Sequence, residues 1–417
     1  MTEQYSLDLD EAQFAKMLFD HVREMSKDVA GVTRQGYGPL ETQVLEYLKG
    51  IGGKLDLDIQ TDLAGNVWMT LPGTDRTLPA FVSGSHADSV PQGGNYDGLA
   101  GIVAALCAAH WMRRHHYTPK RDFTVLMMRC EESSFFGKAY VGSLGMMGKL
   151  TAADLALKHR STGETLGECI RSCGVDPERL TTGEPVIDPK RIAAFVELHI
   201  EQGPILEAAK KDIGVVTCVL GMINYKIKVY GQSDHAGTTP MPYRQDALYG
   251  AAKVLQYLHD ELDKLDSELV YTTGEIYCHP NVHTVIPDYV EFSIDARHEK
   301  PEVIEQVVNV IKNMPKEVVK CKVDYEVAWT RDTVYYDKEL VGYVQEAVDE
   351  LGYSNQKINS GAGHDAQFAA YMMPTTMVFV PSKDGHSHCE PEYTSPEQCT
   401  QGASVLLNAV LKCDADK

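Results

Sequence analysis

Three apolar runs in this chain each stop at a side chain able to hold a metal ion or a proton, and that pattern constrains the fold most. Ala80 to Val82 leads into Ser83-Gly84-Ser85-His86-Ala87-Asp88. Phe123 to Met128 leads into Cys130-Glu131-Glu132, and Ile192 to Leu198 delivers His199. Short apolar runs bounded by polar residues read as buried strands. Between the first two lies Gly93-Gly94-Asn95-Tyr96-Asp97-Gly98, after which Leu99, Ile102, Val103 and Leu106 recur at helical spacing. In open α/β sheets, ligands gather at the carboxyl ends of strands, where loops converge on one point.

The middle of the chain follows another rhythm. Tyr225, Ile227 and Val229 alternate with Lys226, Lys228 and Tyr230 as in a half-exposed strand. Leu248, Ala251, Ala252, Leu255 and Leu258 predict an amphipathic helix, followed by strands near Val270 to Cys278 and at Val290-Phe292-Ile294. A second helix through Val303, Ile304, Val307, Val308 and Ile311 leads to a strand near Cys321 to Val327. Strand, helix, two strands, helix, strand is the ferredoxin-like order. A chain of 417 residues exceeds one ordinary core. The expected division is therefore a larger α/β domain, 1–214 with 329–417, carrying a smaller inserted α+β domain at 215–328.

The formal charge of -20 leaves no basic surplus to neutralise phosphates, which argues against a nucleic-acid partner. Met1 to Asp10 lacks the basic start and apolar stretch of a secretory leader, and no run approaches the roughly 20 apolar residues of a bilayer span. The ten cysteines are dispersed, and Cys169 with Cys173 has no second pair to complete a zinc site. Reduced thiols in the cytoplasm are the expectation.

Four segments carry chemistry, the first running from His86 to Asp97. His86 with Asp88 two residues on can bind metal while the acid holds the ring from behind. Asp97, between Tyr96 and Gly98, can project from a tight turn and bridge two ions. Glu131 and Glu132 would repel each other at a dry site unless cations or a proton relieve them; one can ligate while the other acts as a base. Strand alternation puts Glu197, His199 and Glu201 on one face, and Gly385-His386-Ser387-His388 precedes Glu390 and Glu392. Each has a plainer reading as a solvated turn or a satisfied histidine, and the mutually compatible strand-end positions outweigh it. Two further stretches stand out. His235, in Ser233-Asp234-His235-Ala236-Gly237-Thr238-Thr239-Pro240-Met241, is a candidate lid residue. Gly361 and Gly363, in Ser360-Gly361-Ala362-Gly363-His364-Asp365-Ala366, permit close approach of backbone to a ligand.

In order, G-S-H-A-D-S-V, G-G-N-Y-D-G, E-L-H-I-E-Q-G-P, D-H-A-G-T-T-P-M, G-A-G-H-D-A and S-H-C-E-P-E span nearly the whole chain. Together they resemble the M20-family amidohydrolases, the branch of N-carbamoyl-L-amino acid hydrolases, allantoate amidohydrolases and β-ureidopropionases. The resemblance implies a metallopeptidase-like mixed-sheet catalytic domain whose ferredoxin-like insert is both lid and dimerisation domain. It implies two divalent ions per subunit, of the zinc, manganese, cobalt or nickel kind. His86 and His199 would bind one, Glu132 and His388 the other, with Asp97 bridging. Glu131 would be the general base, and Asp88 would orient His86. His235 would reach the partner subunit's active site in a homodimer and support the oxyanion. Gln202 and Arg297 would hold a small carbamoyl or ureido substrate, Arg297 on its carboxylate.

Two positions depart from the family pattern. The acidic pair, commonly continued as E-E-G-S-R-F, here reads Glu131-Glu132-Ser133-Ser134-Phe135-Phe136, with Phe135 at the arginine position. Thr284 stands where the family usually has a substrate-contacting asparagine. These changes favour an N-carbamoyl or N-acyl amino acid with an apolar or uncharged side chain over allantoate, and among an N-carbamoyl-L-amino acid, allantoate and N-carbamoyl-β-alanine the first is the expectation. An M20 dipeptidase or aminoacylase, or a binding protein without turnover, is the remote alternative.

Overall fold

The computed structural model of the protein describes residues 6–416. Two compact units emerge: one ends at Thr217 and resumes at Tyr336, and the other is Cys218–Tyr335.

In the larger unit, strands β1 (Asp58–Thr61), β2 (Val67–Leu71), β3 (Ala80–His86), β4 (Phe123–Met128), β5 (Ile192–Ile200) and β6 (Ile213–Val219) come first. In the smaller unit β7 (Gly221–Tyr230), β8 (Val270–Thr272), β9 (Ile276–His279), β10 (Tyr289–His298), β11 (Glu317–Val318) and β12 (Cys321–Arg331) follow. The chain closes with β13 (Val334–Tyr335), β14 (Asn355–Ser360) and β15 (Thr375–Val380).

The larger sheet runs β1-β2-β4-β3-β5-β15-β6-β13, with β14 beside β6. Its four central strands, β4, β3, β5 and β15, are mutually parallel, whereas β1, β2, β6 and β13 join antiparallel. The parallel strands are buried almost throughout, as strands covered on both faces must be. One buried cluster joins them to the helices Leu9–Ser26, Leu99–Arg114, Lys338–Leu351 and Pro396–Asp416. A Cβ on Gly101 would lie 2.3 Å from the Leu198 carbonyl oxygen, so the helix Leu99–Arg114 approaches β5 only because that residue has no side chain. The common direction of the four strands brings Met128, His86, Ile200 and Val380 to one end of the sheet, and the loops that leave there build the site.

The smaller sheet runs β11-β12-β7-β10-β8, with β9 also on β10 and every neighbour antiparallel. Taking β12, β7, β10 and β8 as its frame, this is the ferredoxin-like arrangement. Alternation sends Ile223, Tyr225, Ile227 and Val229 of β7 into a core shared with the helices Ala247–Leu262 and Pro301–Asn313. Two details differ from the sequence reading. The first helix buries Ala247, Gly250, Ala251, Val254, Leu258 and Leu262, while Leu248 and Ala252 are exposed. Gly250 packs where a Cβ would stand 3.1 Å from Val229, so close approach sets the buried stripe more than side-chain size does. β12 continues to Arg331, past the expected end at Val327, because it pairs along β7 as far as Met222 across a register shift. Among the described residues no helix is long and apolar enough to cross a membrane.

Candidate metal centre

Asp97 lies in the turn between β3 and the helix Leu99–Arg114 and presents one carboxylate oxygen to each of two groups. Its Oδ1 is 3.4 Å from His86 Nε2 and 3.2 Å from His199 Nε2. Its Oδ2 is 3.3 Å from His388 Nε2, which is itself 3.2 Å from Glu132 Oε1. Within each group the possible ligand atoms lie within 4.8 Å of one another. His86, His199, Asp97 and Glu132 are buried, whereas the His388 side chain is 49% exposed, so the second group opens outward.

The tautomers suit ligation. His199 Nδ1 donates to the Ile200 carbonyl at 2.9 Å, which leaves Nε2 a lone pair facing Asp97. His86 Nδ1 lies 3.3 Å from Asp88 Oδ1 while Nε2 faces the cluster. Asp88 also accepts the peptide N–H groups of Glu131 and Glu132 at 2.9 and 3.0 Å. Imidazole nitrogens and carboxylate oxygens converging without a thiolate fit hard or borderline divalent cations. Gly98 makes room, since a Cβ there would stand 2.4 Å from the His86 ring, and its N–H points at His199 Nε2.

Charge crowding dominates the electrostatics. Burial pushes Glu131 well above the usual carboxylate range, with Glu132 adding to the rise and His86 opposing it. Burial likewise raises Glu132 and takes Asp365 to about 7. Asp97 goes the other way: burial would raise it, but His199, then His388 and His86, hold it well below its usual value. Contacts with Asp97 and Glu132 carry His388 up to about 11. Metal binding at such a site competes with protons for the imidazole nitrogens.

The other residues singled out in the sequence fall in four places. Gln202 adjoins the cluster, its amide donating to Asp97 Oδ2 at 2.7 Å and to Ser387 Oγ at 3.2 Å. Gly361 and Gly363 lie in the loop after β14, and a Cβ on Gly361 would meet open space, so packing does not require glycine there. The same loop feeds Ala366, whose N–H is held by Glu197 Oε2 at 2.8 Å. His235, Thr284 and Arg297 are in the smaller unit. His235 is exposed and bridges to Val285, and the Ala236 N–H donates to the Thr284 carbonyl at 2.9 Å. Arg297, on β10, donates through Nε to Asp295 at 2.8 Å. Phe135 stacks on His159 at 5.5 Å and packs against a separate apolar cluster with Phe136 and Leu150.

The sequence profile of Peptidase family M20/M25/M40 matches residues 82–412. The chain belongs to this family. Among M20 relatives, N-carbamoyl-L-amino-acid amidohydrolase of Paenarthrobacter aurescens is 34% identical, covering 97% of this chain and 99% of its own. Allantoate amidohydrolase of Escherichia coli is 33% identical, covering 90% of this chain and 91% of its own. A hydantoinase/carbamoylase family amidase from Burkholderia multivorans superposes with a TM-score of 0.84 at 33% identity, covering 98% of each chain.

Sequence reasoning noticed Glu392 but assigned it no part in this M20 site. Its Oε1 accepts the N–H groups of Tyr96 and Asp97 at 2.9 and 3.0 Å, and its Oε2 accepts that of His388 at 3.1 Å. One buried carboxylate thus fastens the Asp97 turn to the His388 loop. Glu392→Gln turns an amide N–H toward donors, and each buried group left unsatisfied costs about 1–3 kcal/mol. A lower urea midpoint for this variant, at unchanged m-value, is the expected result.

Proposed function

We propose that the protein hydrolyses the C–N bond of a small carbamoyl or ureido compound, with an N-carbamoyl-L-amino acid as the favoured substrate. The observation that carries this reading is Asp97, which turns its two oxygens to two separate ligand groups. His86, His199 and Asp97 would hold one divalent ion, and Glu132, His388 and Asp97 a second, drawn from zinc, manganese, cobalt or nickel. When bound, such a pair polarises a carbonyl and makes a nearby water more acidic.

The chain's own groups do the rest. Glu131, buried 3.9 Å from His86 Nε2 with its backbone fixed by Asp88, takes the proton of the attacking water. It returns that proton to the leaving nitrogen. Gln202, whose amide donates to Asp97 Oδ2 beside the cluster, would hold the substrate. His235 Nδ1 accepts the N–H groups of Gly237 and Thr238 at 3.0 and 3.2 Å, so the neutral ring carries its proton on Nε2. That makes His235 a donor suited to an oxyanion, supplied across a homodimer by the smaller unit acting as lid. Arg297 grips the substrate carboxylate with its planar fork. Among the described residues the ten cysteines form no disulfide, which suits a cytoplasmic enzyme.

Prolonged chelation abolishes turnover and divalent metal restores it, on this reading. Glu131→Gln keeps nearly normal metal content while kcat falls about 10²-fold or more, whereas Glu132→Gln loses one ion per subunit by elemental analysis. Near-full activity in Glu131→Gln would overturn the assignment of the base.

Homodimer formation is checked by mixing inactive His235→Ala and Glu131→Gln chains, dissociated and reassembled. Part of the activity returns if each site takes its histidine from its neighbour, and a fully active monomer refutes the idea.

The substrate class is decided by kcat/KM on N-carbamoyl-L-methionine, N-carbamoyl-β-alanine and allantoate. The first is expected to lead, and Arg297→Ala to cost far more than Thr284→Ala, because lost charged contacts outweigh a hydroxyl worth about 0.5–1.5 kcal/mol. The 33% identity to an allantoate amidohydrolase supports the second reading, and a clear preference for allantoate would select it.

A further inference from the structure

Arg34 belongs to none of the motifs that carry the chemistry, yet its side chain is fully buried. Its Nε donates to the Ala87 carbonyl at 2.8 Å, and Nη1 donates to Asn95 Oδ1 at 3.0 Å and to Ser26 Oγ at 3.2 Å. Ala87 stands between His86 and Asp88, and Asn95 lies two residues before Asp97. The backbone repeats these links. Arg34 N donates to Ser89 Oγ and Ser89 N to the Arg34 carbonyl, both at 2.9 Å. Val32 and Gly93 exchange N–H···O bonds at 2.9 Å, tying the same segment to the start of the Asp97 turn.

We infer that Arg34 is a positioning residue for the metal centre, its guanidinium spanning the loop of His86 and the turn of Asp97 and fixing the separation of those two ligands. The inference rests on the two-ion reading. Arginine is required because its fork offers donors in two fixed directions, whereas a lysine ammonium is a single point that cannot reproduce both bonds. Its charge has a use as well. The Nη2 nitrogen is buried without a hydrogen-bond partner, a costly arrangement offset by the field of Asp88, Glu392, Asp97 and Glu41. Burial draws the guanidinium down to about 10, and those carboxylates keep it charged at neutral pH. A permanent cation among them eases their repulsion whether or not ions are bound.

Cobalt(II) is the probe, read by competition with a chelator and by its visible absorption, with circular dichroism as the check on folding. Arg34→Lys is expected to fold, to bind cobalt(II) about tenfold or more weakly, as removal of groups that orient ligands commonly does, and to change the visible spectrum. Asn95→Ala cuts only the arm to the Asp97 turn. It is expected to change the same spectrum, and it decides the matter should Arg34→Lys fail to fold. An arginine that merely stabilised the fold would lower the unfolding midpoint and leave cobalt affinity and spectrum at wild-type values. That result in either folded variant overturns the inference. Failure of the wild-type protein to bind cobalt(II) overturns the two-ion reading instead.

Discussion

A buried carboxylate shared between two side-chain groups, with imidazoles in both, is the interaction on which the rest of this structure depends. Asp97 sits among three imidazoles, and their pull outweighs the desolvation that would otherwise protonate it. Around it stand Glu131, Glu132 and Asp88, all buried. So much negative charge in one dry place is tolerable only with compensating cations and with peptide N–H groups aimed at the oxygens. Much of what surrounds the site supplies those N–H groups. Asp88 receives two, Glu392 three and Glu197 one.

The sheet makes this gathering possible. Parallel strands send their carboxyl ends the same way, so residues more than 250 positions apart in sequence, such as Asp97 and His388, meet without any long reach. The helix Leu99–Arg114 must lie close against β3 and β5 for the Asp97 turn to come down between them, and Gly101 permits that approach. Packing in the core and the spacing of the candidate ligands at the edge are therefore one problem. A change that lifted the helix would also draw Asp97 away from His86 and His199.

The sequence shows some of this plainly. His86, Glu132 and His199 end or follow apolar runs, and Asp97 is flanked by turn residues, so period and punctuation place them. The alternation in β7 and β10 exposes the ferredoxin-like order for the same reason. Arg34 escapes such reading because a buried charge leaves no periodic trace, and its partners, Ala87 and Asn95, are 53 and 61 residues away. Glu392 was visible as an acid, but its work is done on peptide N–H groups, which every residue but proline carries. The buried stripe of the helix Ala247–Leu262 was misplaced because alanine and glycine facing a sheet carry little hydrophobic signal, while the exposed Leu248 carries much.

The backbone at the strand ends follows the same logic. Cys130, Gln202 and His388 adopt left-handed conformations with φ of 53°, 60° and 58°, which residues with a Cβ visit only at a cost. Each is directly beside or part of the site: Cys130 precedes Glu131, Gln202 contacts Asp97, and His388 is a ligand in the proposed scheme. In each case the residue's own N–H is held by a side-chain oxygen, from Glu41 at 3.0 Å, Ser382 at 3.0 Å and Glu392 at 3.1 Å. All three acceptors are buried, and Glu41 is further fixed by Arg129. Local preference would send these loops elsewhere. The tertiary hydrogen bonds select the rarer conformation, and that conformation turns Glu131, Gln202 and His388 toward the common point. The convergence of these side chains is thus a property of the folded larger unit, with its strain held by buried hydrogen-bond acceptors around the site.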